Sequence, residues 1–321
     1  MPAEAPRLRL SIGGVPVDGV VALEVESVGC FAADRFSVTC ALGGRVGYFT
    51  ALGKQDVTIE VAAEGAGYVT LLVGQLDNVR VDLGRYEAVL AGRDLAARLI
   101  DAEIAETFAN QTASQIAVTL AGRHGMTPNV TETSTPVGQY YELDHARSAL
   151  AVHARTATEW SLLTQLAQAE GFALWVSGEV LNFGPWPEAA PVLVTPANVS
   201  ALAFDMINAL PVAVTVKSWN TRNKAVVSQS QGSGAGTTLV RPNLTAAQAR
   251  ALAAAQLTVL GQHEVVMSAT MPGDVVLRPG MTLVIAGTGS ALDQSYTVAA
   301  VTRRLSARHG FEQNVTAYAV N

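Results

Sequence analysis

The chain has 321 residues, enough for two or three domains with a sizeable buried core. Only 15% of its residues are charged, against a typical fraction of about 25%, while 49% are hydrophobic. So little charge favours a subunit that buries much of its surface in an assembly over a free monomer. The net charge of −6 leaves no basic surplus to neutralise phosphates, which argues against a free nucleic-acid-binding protein.

Targeting and redox signals are weak throughout. The N-terminus lacks the apolar segment of a secretory signal, and no run approaches the roughly 18 apolar residues of a membrane helix. We therefore expect folding in the cytoplasm and no membrane insertion. Two cysteines, Cys30 and Cys40, cannot define a disulfide framework. We expect both to be reduced and half-buried on strands, with a redox pair as the alternative.

Residues 1–92 alternate between apolar and polar with the period of a β-strand. Val57, Ile59 and Val61 share one face of such a strand, and Gly-containing turns separate further runs of the same kind. The pattern predicts a first domain that is all β, a barrel or a small sandwich.

The periodicity becomes helical in residues 93–197. Thr112 and Gln115 have the spacing of a capping box, which predicts a helix that ends at Gly125. Two short strands are predicted at 172–177 and 179–184. The pattern of residues 93–197 therefore predicts a compact α+β module.

A second capping box in this module is predicted at Thr156 and Glu159, opening a helix that stops at Gly171. The residues on the inward face of this helix are Trp160, Leu163, Leu166 and Ala167.

Residues 198–321 return to strand alternation and predict a second β-barrel domain. A Gly- and Ser-rich stretch, 228–238, predicts a flexible loop. Thr245 and Gln248 form a third capping box before a helix at 246–260, and three strands close the chain. The expected fold class is α+β and mainly β, with two similar β-barrel domains packed with the smaller α+β module.

The two β regions resemble each other weakly. Leu52–Val57 matches Pro279–Leu283, and Tyr86-Glu87 matches Phe311-Glu312 at the start of a late strand. These matches hint at a duplicated β domain.

No catalytic, cofactor-binding or metal-binding residue is predicted. The five histidines, His124, His145, His153, His263 and His309, lack metal-ligand spacing, and His124 suits a helix C-terminus. The loop around Gly232–Gly236 has neither a nucleophile elbow nor a phosphate-loop ending.

A glycosidase would need two carboxylates in one cleft. Asp101, Glu103 and Glu106 cluster in sequence, but we expect them to lie at a solvated helix end and to hold nothing. The four tryptophans could form a sugar platform, although their apolar surroundings favour core packing; they are Trp160, Trp175, Trp186 and Trp219.

The order of motifs along the chain resembles that of a known protein family. A β domain containing Leu72–Leu76 is followed by Gly92–Leu99 and Thr112–Ile116. The strongest motif, Trp-Ser-Leu-Leu-x-x-Leu-Ala from Trp160 to Ala167, comes next, and Tyr296–Val298 precedes the last hairpin. From about Leu8 to Val320, the chain resembles the late control D family of phage tail and baseplate hub proteins. The same architecture forms the head of VgrG-type spike proteins in contractile injection systems.

The resemblance implies a non-enzymatic structural subunit. It implies a homotrimeric ring that adapts a hexameric tail tube to a trimeric spike and lets DNA pass without binding it specifically. The expected partners are a tail tube or distal tail protein, a separate spike protein, the tape measure protein and other baseplate proteins. The expected location is the virion tail tip, after synthesis in the cytoplasm of a bacterial host.

Two alternatives stay open. One is a phage-associated cell-wall hydrolase whose site escapes motif search. The other is the hub of a tailocin, a gene transfer agent or another contractile injection system.

Overall fold

The computed structural model describes residues 7–62, 67–134, 136–137, 139–140, 148–151, 157–206, 212–220, 224–241, 244–261, 265–308 and 310–320. The elements of the first β region are β1 Arg7–Ile12, β2 Val15–Val17, β3 Val20–Val28, β4 Arg35–Ala41, α1 Val46–Thr50, β5 Asp56–Ala62, β6 Val69–Asp82 and β7 Glu87–Asp94. The middle module contains α2 Ala96–Asp101, β8 Thr107–Ala109, α3 Ala113–Arg123, β9 Thr127–Val130, β10 Gln139–Tyr140, β11 Ser148–Ala151, α4 Glu159–Glu170, β12 Ala173–Ser177 and β13 Val180–Gly184.

The remaining elements belong to the second β region and to a small unit inserted into it. They are β14 Val192–Val194, β15 Ala201–Met206, β16 Val212–Asn220, β17 Ala225–Gly232, β18 Ala235–Val240, α5 Ala246–Gly261, β19 Val265–Pro272, β20 Thr282–Ile285, β21 Ser295–Ser306 and β22 Gly310–Ala319. The expected mainly-β α+β class is confirmed.

One 13-stranded sheet runs through both β regions. Its main path is β15-β19-β22-β21-β3-β4-β7-β6-β5-β1-β2, with β20 beside β21 and β14 beside β20. The two regions are joined where β21 pairs with β3. Strand hydrogen bonds thus continue from one predicted barrel domain into the other. Since β14 pairs with β20, residues 192–194 lie with the second β region rather than with the middle module, where the sequence placed them.

Each β region encloses its own hydrophobic core, as strand alternation predicts. The first core contains Phe49, Ile59 and Leu90, each at most 1% exposed. The second contains Tyr296 and Leu283, which are fully buried. One continuous sheet therefore borders two separate cores, and the two β regions are in direct contact although the middle module separates them in sequence.

The middle module has a core of its own, formed by α2, α3, α4 and the strands β12-β13-β9. Helix α3 has the predicted capping box, in which Thr112 Oγ1 accepts from the Gln115 N–H. All four residues predicted to face inward from α4 are buried: Trp160, Leu163, Leu166 and Ala167.

The predicted start of α4 is wrong by two residues. Its N-cap is Thr158, whose hydroxyl accepts from the Ser161 N–H at 3.1 Å, while the Ser161 hydroxyl accepts from the Thr158 N–H at 2.9 Å. Serine can fill the role usually given to Glu or Gln at the third helical position, so the spacing rule chose the wrong threonine. Thr156 lies outside the described residues. Gly171, with a φ of +72°, ends the helix as expected.

The predicted flexible loop at 228–238 is also wrong. β17 and β18 flank the central strand β16, and only residues 233–234 form the bend between them. Helix α5, which begins after the predicted Thr245 cap, covers this sheet and buries Val214 and Val216 against Ala249 and Ala253. Small polar residues are accepted in these strands because β16 supplies their hydrogen-bond partners.

Strand order supports the hint of an internal duplication. The first region has the order β1-β5-β6-β7-β4-β3, and the second has β14-β20-β21-β22-β19-β15. In chain order, the six strands of each region occupy the same six places. The differences include the additional β2 and α1 of the first region, the insertion of β16–β18 with α5 in the second, and a parallel β14–β20 pair where β1–β5 is antiparallel.

The two regions also share a β-bulge at the same place. The register of β6 against β7 shifts between Leu76 and Asn78, and that of β21 against β22 shifts between Val298 and Ala300. Aligning the bulges brings Glu87 onto Glu312, the match that the sequence suggested. Shared strand order with a shared irregularity is a far stronger sign of duplication than short sequence matches.

Candidate assembly interface

The junction between the two β regions is an antiparallel strand pair with a defined register. β3 and β21 pair from Ala22 opposite Ser306 to Val28 opposite Ala300. On the core side of this pair Val25 and Val301 are fully buried. The outer face carries an ion pair at 2.8 Å between Arg304 Nε and Glu24 Oε2.

Several strand edges of the large sheet are open among the described residues, including those of β2, β14, β15 and the C-terminal half of β6. β15 ends the sheet path with β19 as its one neighbour, and the C-terminal half of β6 pairs with β7 alone. The β6 edge borders a groove of about 600 Å³, whose lining includes Phe49, Lys54, Asn78, Val79 and Val81. An open strand edge presents unpaired N–H and C=O groups and is a site for pairing with another chain.

A second, smaller cleft of about 250 Å³ lies where the two β regions and the middle module meet. Trp175 and Trp186 lie in contact on its wall, with ring centroids 4.6 Å apart and ring planes tilted by 42°. Asp34, Asp94 and Arg303 also line it. The Arg303 guanidinium donates to the backbone carbonyls of Asp274, at 2.7 Å, and Leu277.

The two aspartates of this cleft hold the backbone where the regions join. Asp34 Oδ1 accepts from the Val28 N–H at 2.9 Å. Asp94 accepts from the Asp34 N–H at 3.1 Å and from the Ala96 N–H at 3.0 Å. Burial raises the pKa of Asp34 to about 6. Burial, reinforced by the Asp34 charge, raises the pKa of Asp94 to about 8.

Sequence reasoning missed this pair, because Asp34 and Asp94 are 60 residues apart and come together through the β4–β7 pairing. Two carboxyls with different pKa values in one cleft are what a glycosidase needs. Three of their four oxygens, however, accept backbone N–H groups, with Oδ2 of Asp34 the exception. The arrangement therefore fits a structural clamp better than an acid–base pair.

Two of the three acidic residues that the sequence singled out, Asp101 and Glu106, form ion pairs. Asp101 accepts from Lys54 at 2.8 Å and from Arg93 at 3.1 Å, and these cations lower the pKa of Asp101. Glu106 pairs with Arg123 at 3.0 Å. The fold brings the basic partners Lys54, Arg93 and Arg123 to these carboxylates from three other segments.

His124 caps the C-terminus of α3, as predicted, and its Nε2 lies 2.5 Å from Glu159 Oε2. The other four histidines lie outside the described residues. Within the described ranges, no group of three His, Cys, Asp or Glu side chains is placed to hold a metal ion. Cys30 and Cys40 are free thiols; Cys40 is buried on β4, and Cys30 lies half-buried in the turn after β3.

The tryptophans differ in their surroundings. Trp160 is in the core, Trp175 and Trp186 are half-buried, and Trp219 is 51% exposed on β16. The prediction of core packing is wrong for Trp219, which lies on the strand face opposite to Val214 and Val216. The residues of the Gly232–Gly236 segment form a strand end, a bend and the next strand.

No protein-family model matches the chain, and no curated protein matches it. A tail protein from Neisseria meningitidis has a TM-score of 0.76 at 16% identity, with 98% of this chain and 96% of that chain aligned. A prophage MuSo2 tail protein from Shewanella oneidensis has a TM-score of 0.72 at 17% identity, with 98% and 96% aligned.

A third structure comes from an Escherichia coli component of the type VI secretion system, described as similar to bacteriophage T4 tail proteins. Its TM-score is 0.61 at 13% identity, with 97% of this chain and 77% of that chain aligned. In the part of the chain that the structure describes, no helix is long and apolar enough to cross a membrane. Over nearly its whole length, the chain has the fold of these phage tail and secretion-system proteins.

Proposed function

We propose that the chain is a structural subunit of a phage-like tail or baseplate, a hub whose three copies form a ring. One end of the ring receives a hexameric tail tube or a distal tail protein, and the other seats a separate trimeric spike. Tape measure and other baseplate proteins are further partners. The fold shared with solved tail proteins over nearly the full length supports a tail role.

The internal duplication is the main support for the proposal that the chain is a hub subunit. Each chain holds two β units of one strand order, so three chains present six comparable units. Such a ring has threefold symmetry for a spike and approximate sixfold symmetry for a tube.

Composition agrees with this role. A low charged fraction suits a subunit that buries surface on both sides of a ring, and the net charge of −6 suits a channel that passes DNA without retaining it. In this proposal the subunit has no enzymatic activity and no cofactor.

We divide the chain into a first β domain at 1–92, the α+β module from 93, and a second β domain that carries the β16–β18 and α5 unit. The pairing of β14 with β20 supports starting the second β domain near residue 192. The four separate hydrophobic cores support the division, with the inserted unit as the fourth.

The test is the mass and shape of the purified full-length protein. Light scattering should give three times the chain mass, and averaged electron micrographs should show a ring with six lobes of similar radius. A monomer at high concentration, or a ring with another copy number, would contradict the proposal. Imaging of particles would then show whether the ring belongs to a phage, a tailocin or a gene transfer agent.

One alternative has a specific observation behind it. The Asp34–Asp94 cleft holds two carboxyls of different pKa, as a cell-wall hydrolase would require. A peptidoglycan zymogram tests it: clearing by the native protein that Asp94→Asn abolishes and the exposed-site control Glu179→Gln retains would favour the hydrolase. We expect no clearing by any of the three.

A further inference from the structure

The internal duplication points to a specific contact between copies. We infer that the open edge of β15 pairs with the open C-terminal half of β6 of a neighbouring copy, in the register that β3 and β21 adopt within one chain. This inference rests on the proposed ring and adds to it the strands and the register of the contact.

Each open-edge strand has a counterpart in the other β region. Val25 of β3 lies opposite Phe36 of β4, and Phe204 of β15 lies opposite Met267 of β19, in the corresponding strand pair. These registers make β15 the counterpart of β3, and Phe204 occupies the position in β15 that Val25 occupies in β3. The shared bulges match β21 to β6, with Val301 on Val79. Each open edge is therefore the counterpart of a strand that is paired at the internal junction.

The register of the β3–β21 pair predicts the register between β15 of one copy and β6 of the next. At the internal junction Thr302 lies opposite Glu26, and Leu305 lies opposite Leu23. The counterparts place Arg80 opposite Asp205 of the neighbouring copy. They also place two apolar pairs on the core side: Val81 with Phe204 and Leu83 with Leu202.

Exposure of the apolar side chains supports this pairing. Leu83 is 63% exposed and Met206 is 66% exposed. Their counterparts at the internal junction are Leu305, which is half-buried against the first core, and Ser27, which is 8% exposed. The exposed apolar residues of the open edges thus occupy positions whose counterparts are wholly or partly buried at the internal β3–β21 junction. A second strand on each edge would remove them from water.

The groove beside β6 supplies the space. Its lining includes Val79 and Val81, whose counterparts Val301 and Arg303 lie on β21 where β3 pairs with it and are at most 2% exposed. The groove therefore lies where the C-terminal half of β6 lacks a neighbouring strand, whereas its counterpart β21 has β3 as that neighbour. An edge strand of another copy is an occupant of the right shape, because sheet extension needs only an open edge and matching side chains.

Charge agrees with the register. Arg80 is 73% exposed and contacts Asp82 at 3.7 Å, so it is available for a closer partner. Asp205 is exposed on β15. Opposite charges directly across an antiparallel pair are favourable, whereas a register slip of one residue would turn the apolar residues to the wrong face.

The contact is heterologous, because β15 of one copy meets β6 of the next. Contacts of this kind close into rings when the rotation between copies allows it. In a three-copy ring the sheet would alternate between internal β3–β21 junctions and β15–β6 junctions, so all six β units would be joined in one way.

A charge-exchange experiment tests the pairing. Arg80→Asp or Asp205→Arg alone should raise the dissociation constant of the assembly about tenfold, because each places like charges opposite each other. The double variant should restore native association. Glu24→Arg, with Arg304 unchanged, serves as a control, because it alters the ion pair of the internal junction instead. Weakening by both single changes that the double change fails to relieve would overturn the register.

Cross-linking separates this inference from the ring itself. In a Cys30→Ser background, Arg80→Cys with Asp205→Cys should join chains through a thiol-reactive linker of about 5 Å, the spacing of opposed residues. Arg80→Cys with Ala203→Cys, two residues out of register, should cross-link several-fold less. Cross-linking in register within an assembly of another copy number would keep the strand contact and overturn the trimer. A trimer without it would overturn the strand contact alone, and a monomer would overturn both.

Discussion

The indole nitrogen of Trp160 donates a hydrogen bond to the backbone carbonyl of Phe31 at 3.1 Å. Phe31 has a φ of +73°, and its N–H donates to the Leu174 carbonyl at 2.9 Å. Both contacts come from the middle module, so they hold the turn after β3 in a conformation that a side-chain-bearing residue rarely adopts. This turn is adjacent to the β3–β21 junction, and the middle module therefore helps to position the strand that joins the two β regions.

Trp160→Ala should lower the free energy of unfolding by about 3–5 kcal/mol, because it removes a side chain that is 94% buried and leaves the Phe31 carbonyl without its donor. Trp160→Phe, which keeps an aromatic ring, should cost less. Denaturant unfolding of both variants measures the difference. Near-native stability of Trp160→Ala would contradict the packing described here.

Gly280→Ala should destabilise the protein by about 2–4 kcal/mol, because a Cβ there would lie 1.6 Å from Trp186 Nε1 at a φ of +83°. Gly289→Ala is the matched control. Gly289 has a φ of +69° and no neighbouring atom within 4 Å of a Cβ, so that change should cost only about 1–2 kcal/mol. Equal losses in thermal or denaturant unfolding would show that the Trp186 contact contributes nothing.

Stability should fall as the pH rises from about 4 to about 8. The pKa of Asp94 is raised from 3.8 to about 8 and that of Asp34 from 3.8 to about 6, mainly by burial. Between these limits the folded chain holds protons that the unfolded chain has released, so raising the pH favours unfolding. A shift of one pKa unit corresponds to about 1.4 kcal/mol, which is readily measured.

Asp94→Asn should remove most of this pH dependence, whereas Asp18→Asn at an exposed site should leave it unchanged. Urea midpoints at closely spaced pH values measure both slopes. Midpoints of the native protein that stay constant or rise across this range would contradict the prediction.

Amide hydrogens of β18 should exchange slowly relative to those of the bend at 233–234. The parallel pairing of β18 with β16 protects the strand, whereas the bend has no ladder partner. Hydrogen exchange read by mass spectrometry resolves the two segments. Fast exchange throughout 228–238 would instead restore the flexible loop that composition predicts.

Local structure follows from the sequence alone, because a helix cap, a buried helix face or a strand depends on residues only a few positions apart. The capping residues Thr112 and Thr245, the buried face of α4 and the strands at the C-terminus all follow from spacing and periodicity. The motif order also anticipated the fold found in solved tail proteins.

Features that join distant segments depend instead on the three-dimensional arrangement of the strands. Composition marked 228–238 as a loop, but β16 supplies its hydrogen-bond partners and makes it two strands. The pairing of β4 with β7 brings Asp34 beside Asp94, and the pairing of β3 with β21 unites the β regions. Neither contact has a signal in the sequence, because strand pairing depends on which edges meet in space and not on the separation of residues along the chain.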